Sequence, residues 1–132
     1  MLSCGDTFLI PKSSGETEHL WIVVTDPEPD TSFAVCVNIT TKQSYSETTV
    51  ILRPGMHPFI KHDSVVYYSD AQILTLNKVQ QALDARMTGV VCEPREPCSR
   101  AVLEMIRQGI LSSKMTPNNV KDYCKKAWGI NP

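Results

Sequence analysis

The chain has 132 residues, 42% of them hydrophobic and 20% charged, with a formal net charge of −1. These values suit one folded domain with one core and exclude a disordered chain. Bulk charge exerts no pull toward nucleic acid or a lipid surface, so either role needs a local patch. No apolar run approaches the roughly 18 residues of a membrane span. The opening Met1-Leu2-Ser3-Cys4-Gly5-Asp6 lacks both the charged and the long apolar region of a signal peptide. A cytoplasmic chain without membrane association is expected. Cys4, Cys36, Cys92, Cys98 and Cys124 follow no framework spacing, so reduced thiols are the simplest reading.

The first half reads as strands. Thr7 to Ile10 is a short apolar run stopped by Pro11. His19 to Thr25 is nearly continuous apolar and β-branched, as a central buried strand is. Asp26-Pro27-Glu28-Pro29-Asp30 is a loop, because neither proline can sit inside a ladder. Phe33, Val35, Val37 and Ile39 alternate with Ala34, Cys36, Asn38 and Thr40, which is period two. Thr48 to Leu52 and Val65 to Tyr68 are further strands, and Ile73-Leu74 extends the set.

The second half reads as helices. Asn77 is placed as an N-cap with Gln80 at N3, followed by Val79, Leu83 and Met87 at helical spacing. The segment Glu93-Pro94-Arg95-Glu96-Pro97 is read as a linker, with Pro97 in the first turn of the next helix. Cys98, Val102, Met105, Ile106 and Ile110 form that helix's apolar stripe. Thr116-Pro117 caps a last helix with Val120, Tyr123, Cys124, Ala127 and Trp128 on its stripe and Gly129 as its stop. About five or six strands followed by three helices predict an α+β fold. The expected form is a small, strongly bent antiparallel sheet or SH3-like barrel in residues 1–75, with a helical part over 76–132 packed on it as one domain.

The densest cluster of reactive side chains is Arg53 to Ser64. It places His57, Lys61, His62, Arg53, Asp63 and Ser64 in a Pro/Gly-rich connection between two strands, where rigid neighbours commonly present functional groups. Two imidazoles near neutrality supply an acid and a base. Lys61 or Arg53 would hold a phosphate or a developing negative charge, and Asp63 would orient an imidazole. His57, His62 and Lys61 are therefore the candidate catalytic groups of a metal-free RNA cleavage. The same residues also read as a structural loop, with His57 satisfying backbone groups and Phe59 and Ile60 pinning it to the core. His19 opens the second strand and joins the site only if the fold brings it close. Lys12 leads a Ser-Ser-Gly loop that could wrap a phosphate, without the spacing of a phosphate-binding loop. Neither the acidic loop nor the cysteines have the spacing of a metal site, and no cofactor is expected.

Gly5-Asp6-x-Phe8-x-Ile10, the Leu20 to Thr25 strand, Val35-Cys36-Val37-Asn38-Ile39-Thr40-Thr41 and Ser64-Val65-Val66-Tyr67 together resemble the PemK/MazF toxin family over Gly5 to Leu74. The resemblance implies an SH3-like barrel, ribosome-independent RNA cleavage, a homodimer and a cognate antitoxin that covers the groove. Of that family's site pattern, Thr40 matches the Thr/Ser closing the third strand. The Arg-Pro entering the second strand is replaced here by Glu18-His19-Leu20. Two functions are thus expected in competition. One is a toxin-like endoribonuclease or RNA-binding domain. The other is a non-enzymatic partner-binding module (an antitoxin, immunity or adaptor protein) that uses His57 to Ser64 for recognition.

Overall fold

Strand β3, Phe33–Thr41, organises the molecule. A computed structural model describes residues 2–11, 18–84 and 93–130. On one edge β3 pairs antiparallel with β2, Glu18–Val23, from Val23↔Cys36 to Leu20↔Ile39. Its other edge is divided. The first half pairs with β6, Gln72–Thr75, and the second half with β5, Ser64–Val66. Between these two strands the chain leaves the edge through one turn of 3-10 helix, Tyr68–Asp70. With β1, Thr7–Pro11, β4, Ile51–Leu52, and β7, Glu93–Arg95, the strand order is β4-β5-β3-β2-β1-β7, with β6 on β3. All pairs are antiparallel. The fold is α+β, as the sequence predicts.

One strand was hidden. β7 lies in the segment read as a linker, and it pairs with β1 from Thr7↔Arg95 to Leu9↔Glu93. Pro94 stands opposite Phe8. A proline is tolerated there because β7 ends the strand order and needs only one bonded edge.

Both faces of the central strands are buried, which is why β2 reads as unbroken apolar sequence. Leu9, Leu20, Ile22, Val35, Val37 and Ile39 join Ile106, Ile110, Val120 and Cys124 in the larger core. The last four come from α2, Arg100–Ser112, and α3, Asn118–Ala127. Phe8, Trp21, Val23, Ala34 and Cys36 point the opposite way, onto Leu76 and Leu83 of α1, Leu76–Asp84. Each large aliphatic side chain so buried contributes about 1.5–3 kcal/mol. No helix among the described residues is long and apolar enough to cross a membrane.

The helix starts differ from the expected ones. α2 is capped by Ser99, whose side chain accepts the Val102 N–H, and Pro97 lies before it. Asn77 is inside α1, its N–H donated to the Ser32 hydroxyl. Thr116 does not cap α3; Pro117 holds that position, and the buried Thr116 hydroxyl has no partner among the described residues. Met87, Gly89 and Cys92 lie outside the described residues.

Among the described residues, the core has one close approach that only glycine permits. A Cβ on Gly109 of α2 would lie 1.9 Å from the Tyr68 hydroxyl and 2.7 Å from Val50 Cγ2. Tyr68 is fully buried and donates its hydroxyl to the Ile106 carbonyl at 2.9 Å. Gly109→Ala, which on an open helix face would stabilise, should here destabilise by about 1–3 kcal/mol through overpacking. Urea denaturation measures this, and an unchanged midpoint would show that the ring does not seat on that turn.

Candidate functional site

The connection from β4 to β5 was the first candidate. Gly55, at φ +97°, turns the chain after Arg53. His57 then enters the interior and is 4% exposed. Its Nδ1 accepts the Phe59 N–H at 3.0 Å, which leaves the proton on Nε2 to be donated to the Glu96 carbonyl at 2.6 Å. The same carbonyl accepts the Thr7 hydroxyl at 2.7 Å. Ile60 is buried in the larger core, with Phe59 packed against it. Ser64 is buried too, its hydroxyl donated to the His62 carbonyl. Lys61 and His62 are exposed, and Arg53 pairs with Asp63 at 3.0 Å in solvent. The expected catalytic trio is therefore divided. Both nitrogens of His57 are committed to backbone groups, while Lys61 and His62 stand outside.

This geometry ranks the residues by stability. His57→Ala leaves the Phe59 N–H unpaired in a buried site and opens a cavity, and should cost about 2–4 kcal/mol. Arg53→Ala removes only an exposed ion pair and should cost under about 1 kcal/mol. Denaturant midpoints of the two variants check the order.

An open groove lies elsewhere, on the sheet face that α1 covers. Cross-strand register builds its floor. Phe8↔Trp21 and Trp21↔Asn38 form one row, prolonged by the Tyr67 N–H donated to the Asn38 carbonyl. Ile10↔His19 and Thr40↔Val65 form the next. Beneath α1 this face is apolar; beyond it, Ile10, His19, Trp21, Asn38, Thr40, Val65 and Tyr67 line a cavity of about 770 Å³. Its walls are Thr41, Gln43, Tyr45, Ser46 and Glu47 on one side, with Ser69, Asp70 and Met115. Of the residues predicted from sequence, His19 and Thr40 line this groove. His57, Lys61, His62, Arg53, Asp63 and Ser64 do not, and Lys12 lies outside the described residues.

The groove's electrostatics are one-sided. Glu47 is held by the Tyr68 N–H on Oε1 and by the Ser113 and Thr49 hydroxyls on Oε2. Asp70 accepts the Asn38 side-chain amide on Oδ2 and that of Gln72 on Oδ1. The buried Asn38 has no partner for its Oδ1 among the described residues. His19 is half-buried, its Nδ1 3.4 Å from the Ile39 carbonyl. No Lys or Arg stands among the described lining residues. Apolar surface is concentrated here: Tyr45 is 86% exposed, Met115 54% and Tyr67 47%. Asn38, Glu47, Tyr45 and Asp70 were missed in the sequence. The available signal was the face of β3 that reads Ala34, Cys36, Asn38, Thr40, apolar under the helix and polar beyond it.

None of the described cysteines lines this groove. Burial raises the Cys4 thiol, with Asp26 adding to it, and burial pushes Cys98 up to about 11 and Cys124 up to about 12. Against an ordinary thiol at 9.0, Cys98 holds about a hundredfold less thiolate at pH 8. Alkylation by iodoacetamide at that pH, mapped by mass spectrometry, should be at least about tenfold slower at Cys98 in the folded chain than in urea.

The fold and groove define an α+β domain with an open, carboxylate- and aromatic-lined cavity. The chain matches no family model and no curated protein.

Proposed function

We propose that this chain is a partner-binding module and that the sheet-face groove receives a segment of another protein. The observation that carries the reading is the ring of exposed Tyr45, Tyr67 and Met115 around Glu47 and Asp70. Exposed aromatic and methionine side chains gathered over a concave site are the composition of recognition surfaces. A phosphate backbone would meet two carboxylates there, whereas nucleic-acid grooves are lined by Lys and Arg. Recognition is thus assigned to the groove and not to the His57 to Ser64 connection, whose imidazole holds the fold.

A display library of random peptides tests this. Peptides selected on the native chain should lose about tenfold or more in affinity on Tyr45→Ala, which removes a solvent-exposed anchor. The melting temperature of that variant should stay unchanged. Selection that yields no peptide, or peptides indifferent to Tyr45 and Met115, would sink the reading.

A toxin-like ribonuclease is the second reading. It is favoured by the meeting of His19 and Thr40 in one groove, because these stand where the PemK/MazF resemblance looks for its site. There His19 would exchange the proton and Thr40 would orient the phosphate. The partner-binding reading expects no cleavage of a mixed RNA pool by the native chain. Cleavage that His19→Ala abolishes would replace it.

A further inference from the structure

We infer that the partner segment docks on the free edge of β6, adding to the sheet as one more antiparallel strand before it enters the groove. This rests on the groove being a partner site, and it names the conformation in which the segment is held.

The hydrogen-bond parity of β3 sets the direction of the β6 backbone. Val35 donates its N–H to the Thr25 hydroxyl at 2.9 Å, and its carbonyl accepts the Val24 N–H at 2.9 Å. Both backbone groups of Val35 are thus turned from β6. Ile73 stands opposite Val35, so the two form a non-hydrogen-bonded pair. The Ile73 N–H and C=O therefore point away from β3. The same parity holds at Phe33, which stands opposite Thr75. The Phe33 carbonyl accepts the Glu28 N–H and the Tyr123 hydroxyl, and its N–H goes to the Thr31 hydroxyl. The Thr75 N–H is accordingly turned outward, about 7 Å along the strand from that of Ile73. No described residue bonds these outward groups.

Open edges are normally guarded against pairing by shortness, proline or charge. Among the described residues, β4, β7 and β6 are each bonded to a neighbour on one side only. β4 is two residues long, and β7 carries Pro94 between Glu93 and Arg95. β6 reads Gln72-Ile73-Leu74-Thr75, with neither proline nor charge. Ile73 and Leu74 are half-buried, one packed against each core, so both faces of this edge offer apolar surface to an added strand. Two edges are blunted and the third is left as a template.

Continuity with the groove identifies the occupant. Gln72 donates its side-chain amide to Asp70 Oδ1 at 3.2 Å, and Asp70 lines the groove. All pairs in this sheet are antiparallel. A segment added to β6 in the same sense runs from Thr75 toward Gln72, and its C-terminal continuation passes Asp70 into the cavity. Main-chain bonds to Ile73 and Thr75 supply affinity, and the side chains that follow in the groove supply specificity. The recognised segment is thus extended, with an uncharged, apolar residue opposite Ile73.

The test uses the full chain labelled with nitrogen-15 and a synthetic peptide taken from the Tyr45-dependent display selection. In the free chain, the Ile73 and Thr75 N–H groups should exchange with deuterium at least about tenfold faster than those of Gln72 and Leu74, which face β3. Saturating peptide should slow Ile73 and Thr75 at least about tenfold. Methylating the peptide's backbone nitrogens one at a time should weaken binding about tenfold at alternate positions of the docked stretch, and little at those between. Peptide that binds without slowing exchange at Ile73 would overturn the strand addition and leave the partner-binding reading standing. Slow exchange at Ile73 in the dilute free chain would overturn it too. So would exchange that slows as the chain is concentrated without peptide, because the occupant would then be a second copy of this chain. A selection that yields no peptide would remove the partner-binding reading, and this inference with it.

Discussion

β3 is hydrogen-bonded on both edges, and its second edge is split between two partners. That constraint places the rest of the structure. Because β5 and β6 share one edge, the chain between them must step out of the sheet, and it does so at Tyr67 to Ala71. The step carries Tyr68 down into the large core and leaves Tyr67 and Asp70 on the opposite side, over the groove. A buried anchor and two groove-lining side chains thus come from four successive residues. The notch at Gly109 admits the anchor. The groove's geometry is accordingly tied to the packing of α2 on the far face of the sheet.

Much of this was legible, and the parts that were not have physical reasons. The apolar alternation of Phe33 to Thr40 and the unbroken run of Leu20 to Thr25 mark strands in any context, because each residue has one face to satisfy. The three helices follow from stripes of equal strength. β7 was not legible, since prolines that exclude an interior strand do not exclude an edge. His57 shows the limit most clearly. Its sequence neighbourhood, rich in His, Lys, Asp and Ser, is what an active site looks like. Its role is decided by a carbonyl thirty-nine positions away. The groove is opaque for the same reason: Asn38 and Asp70 are thirty-two positions apart, and only the split edge of β3 brings them together.

Two of the three histidines have exchanged the roles that their surroundings suggested. His57, amid polar residues, is a backbone clip. His19, at the head of an apolar strand, faces the groove. Both nitrogens of His57 are committed to backbone groups. An imidazole at a strand end beside an open cavity is free to meet a ligand. The density of reactive side chains in a sequence is thus a weaker guide than the face on which each falls.

The Glu96 carbonyl, described above as the acceptor of both Thr7 and His57, also bears on how the molecule forms. The two bonds span eighty-nine and thirty-nine residues of chain. The longer one closes a loop of most of the polypeptide, and loop-closure entropy opposes both. Strand β1, the β4–β5 connection and the approach to α2 meet at that one oxygen. Their shared acceptor ties the three segments together, and hydrogen exchange is expected to find them in one cooperative unit.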